Sequence, residues 1–117
     1  MKHVGVMSEA ERLELLGAEL EWVPYIGNDK HYYVCNIGKR YRYLKIPPGG
    51  FIHKHTDKAG WRRFYVLQTN PESIFYLEGE PHHLELGHIY DMDGRLEHWA
   101  ENNGDSDRIH FIDMQIM

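Results

Sequence analysis

The sequence predicts an all-β fold that carries one short N-terminal helix. Many short runs of strand-forming residues follow one another at intervals of roughly 8–12 residues, with turn residues between them. Only one stretch shows helical periodicity, and 117 residues is the length of one domain. The even spacing of the runs favours a double-sheet jelly roll, and residues 1–117 are expected to form a single compact β domain.

The helix is predicted over residues 9–21. Ser8 and Glu11 form a capping-box pattern, in which each side chain bonds to the backbone N–H of the other residue. Three leucines at helical spacing are expected to pack against the sheet. They are Leu13, Leu16 and Leu20. Gly17 weakens the middle of the helix, and residues 1–7 form either a frayed end or an extra edge strand.

Nine strand-forming runs follow the helix. A strong turn signal, Pro47-Pro-Gly-Gly50, separates the second run from the third, because proline fixes φ and glycine adopts conformations that other residues avoid. The predicted strands are 31–36, 41–46, 51–55, 62–69, 73–78, 82–86, 89–90, 96–99 and 109–116.

Composition and charge exclude several classes of function. The formal net charge is −5 and there is no basic block, so no nucleic-acid partner is expected. No apolar stretch approaches the roughly 20 residues that span a bilayer, so no membrane association is expected. The single cysteine, Cys35, excludes an intramolecular disulfide and a Cys-rich zinc module. Together with the absence of a signal sequence, it predicts a cytoplasmic location.

Three residues have the chemistry of a metal site, namely His55, Asp57 and His98. Positions i and i+2 of a strand point to the same side, so His55 and Asp57 can converge on one ion that His98 joins from a distant strand. Two imidazoles and one carboxylate leave coordination positions open, which is typical of non-haem iron(II) oxygenases, whereas zinc favours filled tetrahedral sites. The alternative is an ordinary surface turn, because residues 56–60 are also good loop formers.

Arg108 follows a tight turn over residues 102–107 and begins the last apolar strand. This strand is expected to return beside the one that carries His98. A guanidinium inside a barrel needs an anion, and a dicarboxylate can supply one through bidentate pairing. The alternative is a salt bridge at the rim with Asp105 or Asp107.

Several short segments resemble, in their order and spacing, one known family. The segments are Ile46-Pro-Pro-Gly-Gly50, His55-Thr-Asp57 with Arg62, Leu67-Gln-Thr-Asn-Pro71, Glu78-Gly-Glu80, Leu86-Gly-His-Ile-Tyr-Asp91, His98 with Asn102, and Arg108-Ile-His-Phe-Ile-Asp113. They are similar to the aspartyl/asparaginyl β-hydroxylase family of 2-oxoglutarate oxygenases, which includes free-proline hydroxylases. The resemblance covers about residues 44–115.

The resemblance implies a double-stranded β-helix with iron(II) on the predicted ligand triad and 2-oxoglutarate as cosubstrate. Arg108 would bind the distal carboxylate of 2-oxoglutarate, and Arg62 would make a further contact with it. Arg62 and Arg63 point to opposite faces of one strand, and position within the family-like stretch favours Arg62. With molecular oxygen, such a protein hydroxylates an aspartyl or asparaginyl side chain in a peptide or protein, or a free amino acid such as proline.

The chain departs from the family in two ways. Phe64 stands two residues after Arg62, where the family often has a histidine. The chain is also short, with few flanking elements that could enclose a small molecule. We therefore expect either a segment of a protein as substrate or a homodimer that completes the pocket.

Three more residues are candidates for the substrate pocket. His53 shares the strand face of His55 and is either a rim residue near the substrate entrance or a further ligand. Trp99 and Tyr90 either help to line the pocket or belong simply to the core. No catalytic residue beyond the metal ligands is predicted.

Two rival functions are also open. His53 and His55 with His98 and Asn102 echo the spacing of cupins, which would make the protein a metal-binding enzyme or sensor that works without 2-oxoglutarate. Cupins usually place a glutamate shortly after the first two histidines, and this chain has Trp61 in that neighbourhood. The second rival is a jelly-roll binding module without catalytic activity. The complete ligand triad, with an arginine in register, favours the oxygenase.

Overall fold

Eleven strands and one short helix make up the fold within residues 1–116, the part of the chain that the computed structural model describes. In chain order the elements are β1 (Lys2–Val6), α1 (Glu9–Leu16), β2 (Val23–Gly27), β3 (Lys30–Ile37), β4 (Tyr41–Ile46), β5 (Phe51–His55), β6 (Trp61–Gln68), β7 (Ser73–Leu77), β8 (Glu80–His82), β9 (His88–Asp93), β10 (His98–Asn102) and β11 (Arg108–Asp113).

The strands join into one curled antiparallel sheet. Their order is β1-β9-β6-β11-β4-β3-β5-β10-β7-β8, and β2 pairs with β3. Strand β3 pairs with β4 along most of its length, while its first residues, Lys30 and His31, pair with β5. This strand therefore joins two halves of the sheet that curl around a common interior. The predicted all-β jelly roll, a cupin-like double-stranded β-helix, is confirmed.

Alternating burial shows which side chains face this interior. In β7 and β10 every second residue is buried, as expected for strands with one face on a core. The main core includes Leu44, Ile46, Phe64, Val66, Phe75 and Met92. Burying each such side chain contributes about 1.5–3 kcal/mol, so this shared face stabilises the closure of the sheet.

Helix α1 has the predicted start but is shorter than predicted. Ser8 Oγ accepts from the N–H of Glu11 and Glu11 Oε1 accepts from the N–H of Ser8, both at 3.1 Å. The helix ends at Leu16 and not at residue 21, because Gly17, a poor helix former, provides the C-cap. Within residues 1–116, no helix has the length and apolar character needed to cross a membrane.

Two of the three predicted leucines pack on the outer face of the sheet. Leu16 and Leu20 join a cluster that contains Tyr43, whereas Leu13 is 50% exposed. The short helix directs Leu15 towards the sheet instead, and its carbonyl accepts a hydrogen bond from the hydroxyl of Tyr43 at 2.9 Å.

Two strands that the sequence left open or missed lie at edges. Residues 1–7 contain the edge strand β1, which pairs with β9. Strand β2 was not predicted, because all five of its residues are exposed and no alternation marks it. Pro24 is tolerated there since β2 pairs only with β3.

The predicted strand over residues 82–86 is wrong. Glu78 and Gly79 adopt positive φ angles of 50° and 83° and form the hairpin turn directly after β7. Strand β8 therefore occupies Glu80–His82, and residues 83–87 form a loop that leads to β9.

Candidate metal centre

His55 and His98 face each other across two neighbouring strands. His55 ends β5, His98 begins β10, and the two residues are direct partners in the antiparallel pairing. Their ring centroids are 4.3 Å apart and both residues border the interior cavity. Strand pairing thus brings together two imidazoles that lie far apart in the sequence.

Asp57 completes the group from the loop that follows β5. Because the strand ends at His55, the period-two geometry used for the prediction does not extend to Asp57. Its N–H donates instead to the carbonyl oxygen of Gly94 at 2.8 Å. A Cβ atom at Gly94 would lie 3.1 Å from the backbone oxygens of Ala59 and Gly60, so glycine eases the packing of the loop that carries Asp57 against residue 94. Ligand atoms of the three residues all lie within 4.8 Å of one another.

Backbone hydrogen bonds orient both imidazoles. Nδ1 of His55 contacts the carbonyl oxygen of His53, and Nδ1 of His98 contacts that of Leu96, each at 2.7 Å. A carbonyl oxygen only accepts, so Nδ1 carries the proton in both rings. In a neutral ring Nε2 then presents a lone pair. Nε2 of His55 lies 3.7 Å from Oδ1 of Asp57, and Nε2 of His98 lies 3.2 Å from Oδ2 of Asp57.

In this arrangement the lone pairs of His55, Asp57 and His98 point towards one another. Oδ2 of Asp57 is buried and has no hydrogen-bond partner among residues 1–116. An unprotonated Nε2 facing a carboxylate oxygen at 3.2 Å is repulsive unless a proton or a metal cation lies between them. The donor set therefore fits a metal ion, and the backbone carbonyls that hold the rings are the usual outer partners of metal-binding histidines.

Protonation at neutral pH also suits metal binding. Burial lowers the pKa of His55 below its ordinary value of 6.5, so this ring is neutral. Burial acts to raise the pKa of Asp57, but a proton on Nε2 of His98 and the guanidinium of Arg62 outweigh that effect and hold the pKa below 3.8. A neutral imidazole and an ionised carboxylate are the forms that coordinate metals.

Arg62 and Arg63 lie on opposite faces of β6. Arg62 borders the cavity, with Nη2 3.4 Å from Oδ2 of Asp57. Arg63 forms a bidentate pair with Asp91, with Nε 2.7 Å from Oδ1 and Nη2 3.0 Å from Oδ2. Arg62 is thus the arginine that faces the centre. Its contact here is with Asp57, and its contact with a cosubstrate stays a prediction.

A cavity of about 260 Å³ extends from the three ligands into the interior of the sheet. Small-ligand sites commonly enclose about 300–1,000 Å³, so this cavity is suited to one small molecule beside an ion. Much of its wall is apolar. The apolar wall is formed by Leu44, Ile52, Phe64, Phe75, Met92 and Ile112.

Arg108 enters the same cavity from the start of β11, although this strand lies between β6 and β4 and not beside β10 as predicted. It is 6% exposed, and its Nε has no partner among residues 1–116. The alternative salt bridge with Asp105 or Asp107 is not formed. Burial lowers the pKa of Arg108 to about 9, so the guanidinium is still charged at neutral pH. A buried charge without a counter-ion is strongly unfavourable, and an anion in the cavity would relieve this cost.

His110 also borders the cavity, and sequence reasoning assigned it no chemistry. It is 1% exposed, and neither ring nitrogen has a partner among residues 1–116. The signal that could have found it is its position two residues after Arg108, which places both side chains on one strand face.

The three candidate pocket residues have different positions. Trp99 and His53 border the cavity, but His53 does not join the ligand group and its ring lies at the exposed rim. Tyr90 is not part of the cavity wall. It lies two residues before Met92, towards the end of the barrel closed by the loop before β9, where its hydroxyl accepts from the N–H of Glu85 at 3.0 Å.

The cupin-type set of four residues is not assembled. His53 lies outside the ligand group. Asn102 is fully buried, and its side-chain amide donates hydrogen bonds to the carbonyl oxygens of Ile46 and Ser106. The fold and this centre define a cupin-like double-stranded β-helix protein with two histidines and one carboxylate around a small cavity.

Comparison with known proteins agrees with this class. The sequence matches the aspartyl/asparaginyl beta-hydroxylase family over residues 30–115. The chain belongs to this family. No curated protein matches the sequence.

Solved structures show a similar fold at low sequence identity. A cupin-like protein from Thermotoga maritima has a TM-score of 0.67 and 16% identity, covering 85% of this chain and 80% of that one. An oxidoreductase of the 2OG-Fe(II) oxygenase family from Burkholderia pseudomallei has a TM-score of 0.66 and 12% identity, covering 89% and 76%. A predicted oxalate decarboxylase from Thermotoga maritima has a TM-score of 0.64 and 19% identity, covering 80% and 90%.

Proposed function

We propose that the protein is an iron(II)- and 2-oxoglutarate-dependent dioxygenase that hydroxylates an amino-acid side chain. The observation that carries this proposal is the placement of three metal-type ligands and a buried, unpartnered arginine around one cavity. A metal site alone would have no need of Arg108. A ligand that chelates the metal and ends in a carboxylate satisfies both.

Nε2 of His55, Nε2 of His98 and a carboxylate oxygen of Asp57 would hold the iron. Three protein ligands leave positions for a chelating cosubstrate and dioxygen. When bound, iron(II) with 2-oxoglutarate and dioxygen supplies the oxidant that hydroxylates a C–H bond, with release of succinate and carbon dioxide. The carbonyls of His53 and Leu96 keep each Nε2 directed at the metal position.

Arg108 would bind the distal carboxylate of 2-oxoglutarate. The guanidinium offers a rigid fork of N–H donors that matches a carboxylate, and the apolar wall around it strengthens the ion pair. Binding would also neutralise a charge that the fold otherwise buries alone. The orientation of the cosubstrate would thus be determined from both ends.

We further propose that the substrate presents one side chain at the mouth of the cavity. The volume of about 260 Å³ leaves little room beyond an ion and a small cosubstrate. His53, whose side chain is 44% exposed, lies at this mouth, and Trp99 borders the cavity. An aspartyl or asparaginyl residue of a polypeptide suits such an entrance, while a free amino acid would need a further wall from a second copy of the chain. Efficient conversion of free amino acids by the monomer, with peptides ignored, would contradict this choice.

Anaerobic titration with iron(II) and then 2-oxoglutarate tests the function. The wild-type protein is expected to develop the weak visible charge-transfer band of the iron chelate. Asp57→Ala should lose the band, because one of three ligands is removed, whereas Asp105→Ala, at an exposed turn residue, should keep it. On admission of oxygen, slow formation of succinate would report turnover without knowledge of the substrate.

Two results would contradict the proposal. Absence of the band in wild-type protein that has bound iron would exclude 2-oxoglutarate as cosubstrate. Turnover of any substrate in the absence of 2-oxoglutarate would favour the rival cupin-type enzyme.

A further inference from the structure

His110 is a polar residue of the cavity to which the proposed function gives no role. Its ring is 1% exposed, and both Nδ1 and Nε2 lack partners among residues 1–116. A buried polar atom left without a hydrogen bond is strongly unfavourable, and natural folds contain few of them. Two such atoms on one ring therefore point to a partner that binds there.

The position of His110 identifies where that partner lies. It sits in β11 between β4 and β6, paired with Leu44 and Val66, so the ring is at the centre of the sheet. It follows Arg108 by two residues and shares its strand face. Both residues border the cavity that contains the metal centre.

We infer that His110 donates an N–H hydrogen bond to the same carboxylate that Arg108 binds. This inference rests on the proposed function. A carboxylate accepts several hydrogen bonds, so a guanidinium and an imidazole can both donate to it. The structure thus assigns the deep end of the cavity to a carboxylate held by two donors from one strand.

The charge of the site is consistent with this assignment. Burial, together with the nearby charge of Arg108, lowers the pKa of His110 well below 6.5, so the ring is neutral and carries one N–H. The single positive charge of Arg108 then matches the single negative charge of the carboxylate. A neutral donor adds a hydrogen bond without a second buried charge.

A rival explanation is a buried water. A void of about 10 Å³ adjoins His110 and Arg108 on a side that includes Thr69 and Ser73. This is close to the smallest space that holds one water, roughly 10–15 Å³. If water alone satisfies the ring, His110 has no contact with the ligand and its substitution leaves ligand affinity unchanged.

Calorimetric titration of 2-oxoglutarate into manganese(II)-loaded protein separates these explanations without reference to turnover. His110→Leu, which keeps the volume but removes the donor, is expected to bind 2-oxoglutarate about 10- to 100-fold more weakly, the usual loss for a hydrogen bond to a charged group. His110→Gln retains an N–H donor and should recover most of the affinity. His3→Leu, in the edge strand β1, should bind like the wild type.

Pyruvate provides the matched ligand because it chelates the metal but lacks the distal carboxylate. His110→Leu should bind pyruvate as the wild type does, so that the preference for 2-oxoglutarate over pyruvate shrinks by the same 10- to 100-fold. Equal affinity of wild type and His110→Leu for 2-oxoglutarate would overturn the inference and leave the proposed function intact. Failure of manganese-loaded wild type to bind 2-oxoglutarate would overturn both.

Ring ¹⁵N spectra of the zinc(II)-loaded wild type remain decisive even if His110→Leu folds poorly. Addition of 2-oxoglutarate should shift the signal of the protonated His110 nitrogen, and addition of pyruvate should not. Unchanged His110 signals at saturating 2-oxoglutarate would overturn the inference.

Discussion

Two regions of the molecule bury polar side chains, and they differ in whether those side chains have hydrogen-bond partners. At the turn between β10 and β11, Asn102 is completely buried, and its amide group makes five hydrogen bonds. The partners, at 2.8–3.2 Å, are the carbonyls of Ile46 and Ser106 and the donor groups of Asn70, Ser73 and Gly104.

The cavity shows the opposite situation a few residues further along the chain. Within residues 1–116, buried side-chain atoms without hydrogen-bond partners occur in four residues, and all four border this one cavity. They are Asp57, Arg62, Arg108 and His110. Buried polar groups that stabilise a fold form hydrogen bonds with one another, whereas polar groups of a binding site lack partners until the ligand binds. The Asn102 region thus serves the fold, whereas the cavity holds the unpartnered polar groups that the proposed ligand would bind.

The largest effect expected from this comparison concerns Arg108. Arg108→Met should weaken 2-oxoglutarate binding by about 2–5 kcal/mol, since the ligand carboxylate would be left without its counter-ion. The same change should raise the free energy of unfolding of the ligand-free protein by about 1–3 kcal/mol, because an uncompensated buried charge is removed. Calorimetry and urea denaturation measure the two quantities.

Arg63→Met is the matched control for this experiment. Arg63 already has a partner in Asp91, so its loss should destabilise the protein and leave ligand affinity unchanged. If Arg108→Met destabilised the ligand-free protein, the guanidinium would have a structural role and the contrast between the two regions would fail.

Asn102 should give the next largest effect, on stability. Asn102→Ala leaves several buried groups without partners, so the free energy of unfolding should fall by about 2–4 kcal/mol. Neighbouring Asn103 is exposed, and Asn103→Ala should change stability by less than about 0.5 kcal/mol. Equal urea midpoints for both variants would show that the hydrogen-bond network is dispensable.

The smallest effect should come from Arg40, a paired arginine at the surface. Hydrogen bonds from Arg40 to Asp113, at 2.8 and 2.9 Å, lower the pKa of that carboxyl below its ordinary value of 3.8. A carboxyl whose pKa is lower in the folded state contributes stability above its ordinary pKa, and this contribution is lost as the pH falls through the folded-state pKa. The effect is small because the Arg40 side chain is 51% exposed.

Thermal unfolding of Arg40→Met and wild type from pH 7 to pH 3 checks this sign. The wild type should be slightly more stable at pH 7, and the difference should shrink as the pH falls below 3.8. A difference that grew on acidification would contradict the assignment of Asp113 as the partner.

Local sequence patterns predicted the parts of the fold that depend on neighbours along the chain. The capping box of Ser8 and the strand that ends at His55 were found because propensity, spacing and turn residues determine them. Strand β2 was missed because an exposed edge strand has no buried face. The bounds of β8 were missed because the hairpin turn falls at Glu78 and Gly79, directly after β7.

The candidate site also contains residues that the sequence predicted and one that it missed. Residue chemistry indicated His55, Asp57, His98 and Arg108, since imidazoles, carboxylates and a guanidinium in this order limit what the site can bind. His110 was missed, because a histidine in an apolar strand is usually a satisfied core residue. Its position two residues after Arg108 singles it out only once Arg108 is known to face the cavity.

The sequence by itself determined the class of fold and the chemical groups available to the site, because strand periodicity, turn residues and side-chain identity are local properties. Only the tertiary structure decided which buried polar groups are partnered. Burial and hydrogen-bond geometry depend on strands that are distant in the chain, so the full set of partners for Asn102 and their lack for His110 emerge when the sheet closes.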